Sequence, residues 1–333
     1  MDRWITQALR SALSAAERPL IVDLGFGATP VTTIELYIRI RATVPNAEVT
    51  GLEIDPDRVA SARRDLAARR AEGHELPGLS FAMGGFELPV PRRPVLIRAF
   101  NVLRQYPEER AWTVWSQLRS GLADGGVLVE GTCDEIGRRA VWVTLPALPD
   151  RSPGGGRTAG SGEPLITFSA RIASLERPSD LAERLPKVLI HRNVPGEPVH
   201  QFLRDFDRAW DHAAPYSGFG LRQRWLAAVT SLSAGWPVLR DPPQGGPRRW
   251  RLGEVTLPWA AVAPSAYREP LATRAFPVGT GNCGGLAESA SEDATSSSAV
   301  AARDLRWPHA GPRRARRRRD RAAFAREGQR PRS

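Results

Sequence analysis

A doubly wound α/β fold with a mostly parallel sheet is predicted by three observations. Short apolar runs alternate with helical patterns from residue 19 to residue 132. The first run ends in a glycine-rich turn, and the second ends on an acid. After residue 136 the alternation stops and two strand-like runs follow one another directly, which predicts an antiparallel last strand.

The elements follow in order. Trp4, Ile5, Ala8, Leu9, Ala12 and Leu13 recur at helical spacing, so residues 1–16 are expected to form a helix. Pro19 opens PLIVDLGFG, a buried strand ended by glycines. Residues 31–43 resume a helical pattern rich in β-branched side chains, and AEVTGLEID (47–55) is a second buried strand. Pro56 stands in a helix-opening position before residues 57–73, and Gly73 stops that helix. Strands are expected at 79–83, 93–102 and 127–132. Between the last two, Pro107, Glu108 and Glu109 open a helix with its acids at the favourable end.

The two further strand-like runs are 138–148 and 164–175, joined by DRSPGGGRTAGSG, an exposed hairpin loop. Two amphipathic helices are expected at 199–214 and 220–235, and a final strand-like piece ends near Ala263. Trp112 and Trp115 on one helix, and Phe202, Phe206 and Trp210 on another, read first as core stripes; the second set could instead roof a pocket.

Composition narrows the function. Hydrophobic residues make up 41% of the 333, enough for a real core. No apolar run approaches the ~20 residues of a membrane helix, and the N-terminus lacks the pattern of a secretory signal. Cys133 and Cys283 are far apart, which argues against a disulfide scaffold and for a reducing, cytoplasmic setting. The five histidines show no metal-like spacing, so no metal is expected. The formal charge of +11 invites a nucleic-acid partner, but 46 of the 47 basic residues are arginine, the mark of a GC-rich coding sequence. Residues 261–333 carry 14 Arg against 7 acids, leaving a net of only +4 on residues 1–260. From about residue 271 apolar periodicity is lost. The expected organisation is a core over 1–175, a helical elaboration packed on it over 176–265, and a disordered Arg-rich tail over 266–333. That tail could bind nucleic acid or be an unselected extension.

The chemistry concentrates at the strand ends. Asp23 precedes Gly25 and Gly27 where the first strand turns sharply, and the absence of Cβ atoms lets the backbone approach a ligand. Glu53 closes the second strand, where a carboxylate can accept from both ribose hydroxyls. RAFNVLR brings Asn101 to the same edge, and GGVLVEGTCDE adds Cys133, Asp134 and Glu135.

Together these residues resemble the class I S-adenosylmethionine-dependent methyltransferases, a Rossmann-like superfamily, over residues ~19–175. The resemblance implies that the Asp23–Gly27 loop wraps the methionine part of the cofactor, that Glu53 binds the ribose and that Ile54 packs on the adenine. It implies a fourth-strand motif at RAFNVLR whose polar end faces the transferable methyl. The acceptor itself is unidentified in the sequence, and a small molecule is expected. Two residues depart from the family pattern. Thr29 replaces a frequent third glycine, and Gly85 stands where an acid often contacts the adenine amine, leaving backbone groups or Glu87 for that contact.

The competing reading is an NAD-dependent oxidoreductase. Its third fingerprint glycine would fall at Pro30, which removes a backbone donor. Asp23 also opposes a diphosphate while suiting a cationic amino-acid moiety.

A general base is needed only for a protonated nucleophile such as a hydroxyl. His191 is the first candidate, with a structural histidine as its alternative. Asn101 would orient substrate or cap its strand, and Tyr106 would line the entrance or pack near Pro107. Cys133 reads as a small semi-buried residue, and Asp134 and Glu135 read as helix-start acids.

Overall fold

The computed structural model describes residues 1–149 and 162–265. The expected hairpin loop, apart from Gly162, and the expected tail over 266–333 lie outside the described residues. The chain opens with α1 (Asp2–Ala8) and α2 (Arg10–Leu13) rather than one helix. Leu9 leaves the helical region at φ −109°, ψ 18°, and both Leu9 and Leu13 are buried.

The alternating region follows as β1 (Leu20–Leu24), α3 (Val31–Thr43), β2 (Glu48–Glu53), α4 (Pro56–Ala71), β3 (Leu79–Met83), β4 (Leu96–Phe100), α5 (Glu108–Gly121) and β5 (Val127–Cys133). All five residues of β1 are buried, as a parallel strand covered on both faces requires. Pro56 is the first residue of α4, and the Asp55 carboxylate caps the helix by accepting from the Asp57 and Arg58 amides at 2.9 and 3.1 Å.

Next come β6 (Arg139–Pro146) and β7 (Leu165–Ala170), a 3₁₀ turn at Pro178–Arg184, α6 (Lys187–Ile190), α7 (Pro198–His212), α8 (Leu221–Gly235), α9 (Pro247–Trp250) and β8 (Glu254–Pro258). The sheet has eight strands in the order β3-β2-β1-β4-β5-β6-β7-β8. Neighbours from β3 to β5 are parallel, and β5/β6, β6/β7 and β7/β8 are antiparallel. The fold is therefore Rossmann-like, with the expected reversal widened into an antiparallel block. β8 returns to the sheet after the helices, burying Val255 and Leu257 and pairing Thr256 with Thr167 at 2.9 Å.

Strand alternation sorts the side chains onto two faces. Val22, Leu24, Ile97, Ala99 and Leu128 join one core with Trp112, Trp115, Phe202 and Phe206. There Phe202 lies 4.8 Å from Phe168, and Trp115 lies 5.4 Å from Trp259 in edge-on contact. The aromatic stripes are core, and α7 packs on β7 through them. Asp23, Arg98, Phe100 and Trp142 occupy the opposite face, beneath α1 and α3; Trp4 meets Trp142 at 5.5 Å. Gly131 faces Trp142 across β5/β6, and a Cβ there would come within 2.4 Å of the Val141 carbonyl.

Candidate active site

β1 lies between β2 and β4, so the chain's direction of growth reverses there and the carboxyl ends of these strands frame a crevice. The loop after β1 is built for close backbone approach. Gly25 (φ +69°) and Gly27 (φ +78°) both occupy the left-handed region, and a Cβ on Gly25 would sit 2.7 Å from Val102. Leu52 anchors the loop to β2 by accepting from the Gly25 amide at 2.7 Å.

Glu53 joins the two expected motifs physically. Its Oε2 accepts from the Gly27 amide at 2.9 Å, and its Oε1 accepts from the Ile54 and Asp55 amides at 2.9 and 3.3 Å. A carboxylate offers about four acceptor positions, so capacity remains for a ligand hydroxyl. Beside it Ile54 is 64% exposed, and Met83 at the end of β3 is also exposed. Bare apolar surface next to a hydrogen-bonded carboxylate suits the flat face of a base attached to a ribose. Gly85 borders this surface: a Cβ there would lie 3.2 Å from Ile54. The Glu87 carboxylate turns back onto the same segment, accepting from the Gly85 amide at 2.8 Å.

Asp23 lines the larger cavity and is also paired within the fold. It is 4% exposed, and its two oxygens accept from Arg98 Nε and Nη2 at 2.7 and 2.6 Å. Thr33 donates to the same carboxylate at 2.5 Å. Arg98, itself 4% exposed, also donates to Asp2 at 2.9 Å and to the Thr32 carbonyl at 3.1 Å. Burial alone would lower the Arg98 pKa, but the facing Asp23 and Asp2 carboxylates outweigh it and hold the guanidinium above its ordinary value. The negative charge of Asp23 is thus matched from within the fold by Arg98. The sequence did carry a signal for this: an arginine in the middle of an apolar central strand requires a buried partner.

Asn101 (φ +61°) knots the tips of β4 and β5. Its amide donates to the Gly131 carbonyl at 2.9 Å, and its side-chain oxygen accepts from the Cys133 amide at 3.0 Å. Asparagine tolerates this left-handed backbone better than most residues. Cys133 is half-buried, and burial raises its thiol pKa, which makes it a poor nucleophile. Asp134 and Glu135 do not start a helix; they form the tight turn between β5 and β6, with Asp134 accepting from the Arg138 amide at 2.6 Å.

Two cavities meet at this turn. The larger, of about 950 Å³, runs past Gly25, Gly27, Asp23, Arg98 and Glu254. The smaller, of about 520 Å³, lies on the other side, toward Arg139 and Arg184. Asn101, Cys133, Asp134, Glu135 and Ile136 line both. Two expected site residues stand apart. His191 is exposed at the end of α6 and lines neither cavity, and Tyr106 packs edge-on against Phe86 at 5.4 Å.

No family model matches the chain. Its sequence is 32% identical over 98 residues to a release factor glutamine methyltransferase from Deinococcus radiodurans, a match covering 28% of this chain and 32% of that protein. The chain thus spans about a third of the length of the curated relative it matches. Similar solved structures include human N-acetylserotonin methyltransferase, at 21% identity over 41% of this chain and 35% of that one, with a TM-score of 0.29. Another is the magnesium protoporphyrin IX methyltransferase of Synechocystis, at 18% identity over 40% and 57%, with a TM-score of 0.28. Superpositions at that level add nothing to the geometry of the residues themselves. The chain has a Rossmann-like fold and is similar in sequence, over those 98 residues, to a methyltransferase.

Proposed function

We propose that this chain is an S-adenosylmethionine-dependent methyltransferase acting on a small-molecule acceptor in the cytoplasm. The observation that carries this reading is the bond from the Gly27 amide to Glu53, which closes the glycine loop onto a carboxylate at the switch point of the sheet. When bound, S-adenosylmethionine supplies an electrophilic methyl group on a sulfonium leaving group.

The chain's own residues bind and align. The Gly25–Gly27 backbone receives the amino-acid part, Glu53 the ribose hydroxyls and Ile54 one face of the adenine. Gly85 and the second oxygen of Glu87 lie where the adenine edge would fall. Asn101 borders both cavities, as a residue between cofactor and acceptor would, and alignment for in-line attack contributes several kcal/mol. For a protonated nucleophile, the carboxylates bordering both cavities are Asp134 and Glu135, and these replace His191 as candidates to take the proton. Asp23 and Arg98 act as positioning residues beneath the loop.

Pro30 caps α3 without an amide proton, which weighs against the dinucleotide reading. Among the described residues no helix is long and apolar enough to cross a membrane.

Calorimetric titration with S-adenosylmethionine and, separately, with NADH tests the reading. Saturable binding of the methyl donor is expected; binding of NADH alone overturns it. A nucleic-acid partner acting through the C-terminal segment would instead require RNA or DNA binding that disappears on truncation after residue 265.

A further inference from the structure

We infer that the smaller cavity holds an anionic group of the methyl acceptor, a carboxylate or phosphate, on Arg184 and Arg104. That the bound molecule is the methyl acceptor rests on the methyl-transfer reading; the anion site itself does not.

The inference follows from how the cations around the cavity are matched. Arg138 faces Asp134 at 3.5 Å, and Arg139 faces Asp180 and Glu183, each at 3.4 Å. Those two charges are matched by carboxylates. Among the described residues Arg104 reaches a backbone oxygen and no carboxylate: it donates to the Glu183 carbonyl at 2.8 Å. The Nε of Arg184 is buried and has no hydrogen-bond partner among the described residues. A buried guanidinium donor left without an acceptor costs free energy comparable to a lost hydrogen bond, and a cation makes it worse. An oxyanion entering the cavity, which Arg184 and Arg104 line, would supply a matching charge to both guanidinium groups. The planar fork of arginine suits carboxylate and phosphate in particular.

Position adds direction. Arg184 and Arg104 belong to this cavity alone, while Asn101, Cys133 and Glu135 border both. A small molecule anchored by its anionic end on the arginines would extend its other end toward Asn101. Glu135, with its like charge, would repel the anionic end from the shared border and so favour one orientation.

The test is calorimetry on the full chain with benzoate, inorganic phosphate and the neutral analogue benzamide, with S-adenosylhomocysteine titrated in parallel. At least one anion should bind, benzamide should not, and Arg184→Gln should weaken the anion about tenfold or more while leaving S-adenosylhomocysteine affinity unchanged. Benzoate against phosphate tells which oxyanion the cavity takes. Should Arg184→Gln fail to fold, Arg104→Gln, an exposed position, carries the same expectation. Absence of anion binding, equal binding of benzamide, or wild-type anion affinity in these variants overturns the inference. An anion site that passes while S-adenosylhomocysteine fails to bind would sink the methyl-transfer reading and leave the anion site standing.

Discussion

Two buried acids on neighbouring parts of one sheet meet opposite electrostatic fates. Asp23 of β1, on the α1/α3 face, is gripped by both arms of Arg98 and by Thr33. Glu130 of β5, on the face packed by α5, is 2% exposed and accepts a hydrogen bond from the Trp115 indole at 3.1 Å. Burial pushes its pKa up to about 8, with the indole bond opposing only in part. The difference lies in what each face can offer. The face beneath the glycine loop carries a guanidinium that matches the charge, whereas the tryptophan-rich core offers one neutral donor, so Glu130 holds its proton. A charge is maintained beside the candidate site and suppressed where only packing is at stake.

Breaking the matched pair should have the largest effect. Arg98→Met leaves the Asp23 carboxylate buried without its partner and should cost about 3–5 kcal/mol in denaturant unfolding. The double variant Asp23→Leu/Arg98→Met should recover much of that loss, because replacing a buried pair by apolar groups is often neutral. No recovery would mean that the pair does more than satisfy itself, for instance by holding the glycine loop.

The unmatched acid gives a pH signature. Its folded pKa lies above the ordinary 4.5, so the folded state holds the proton more tightly than the unfolded one. Its contribution is therefore complete below about pH 4.5 and is lost as pH rises toward 8. Glu130→Gln should flatten this decline and stabilise the protein by on the order of 2–4 kcal/mol at pH 9 relative to wild type. Thermal unfolding across pH 5 to about 9 reads this directly; parallel curves for both proteins would show that Glu130 does not titrate as described.

Glu53 is a third buried acid, held by three backbone amides, with Arg58 at the edge of ion-pair distance, 4.0 Å away. Glu53→Ala should weaken S-adenosylmethionine binding by about 1–3 kcal/mol, and an unchanged affinity would remove it from the site. The smallest effect belongs to His191→Ala. An exposed residue outside both cavities should change stability by less than about 0.5 kcal/mol and leave turnover intact; a large loss of turnover would return His191 to the site.

Much of the fold was legible in the chain. Pro56, Gly73 and the acids of α5 mark helix ends through local chemistry, and the alternation of apolar runs with helices dictates a parallel sheet. The glycine loop and Glu53 were legible for the same reason, since a strand tip carries its motif locally. The position of β8 was not, because a strand's neighbours depend on which edge is left to cover. The position of His191 outside both cavities was not legible, because a loop-like context says nothing about which loop reaches a cavity.

By itself, then, the sequence determined the order of elements, the turn at Gly25 and Gly27, and the acid that closes β2, all of which follow from backbone preference and short-range periodicity. Only the tertiary structure decided that Arg98, 75 residues along the chain, would neutralise Asp23, and that Arg184 would face the other side of Asn101. Those pairings arise where strands distant in sequence become neighbours, and burial then forces each polar group to take whatever partner the packing brings within reach.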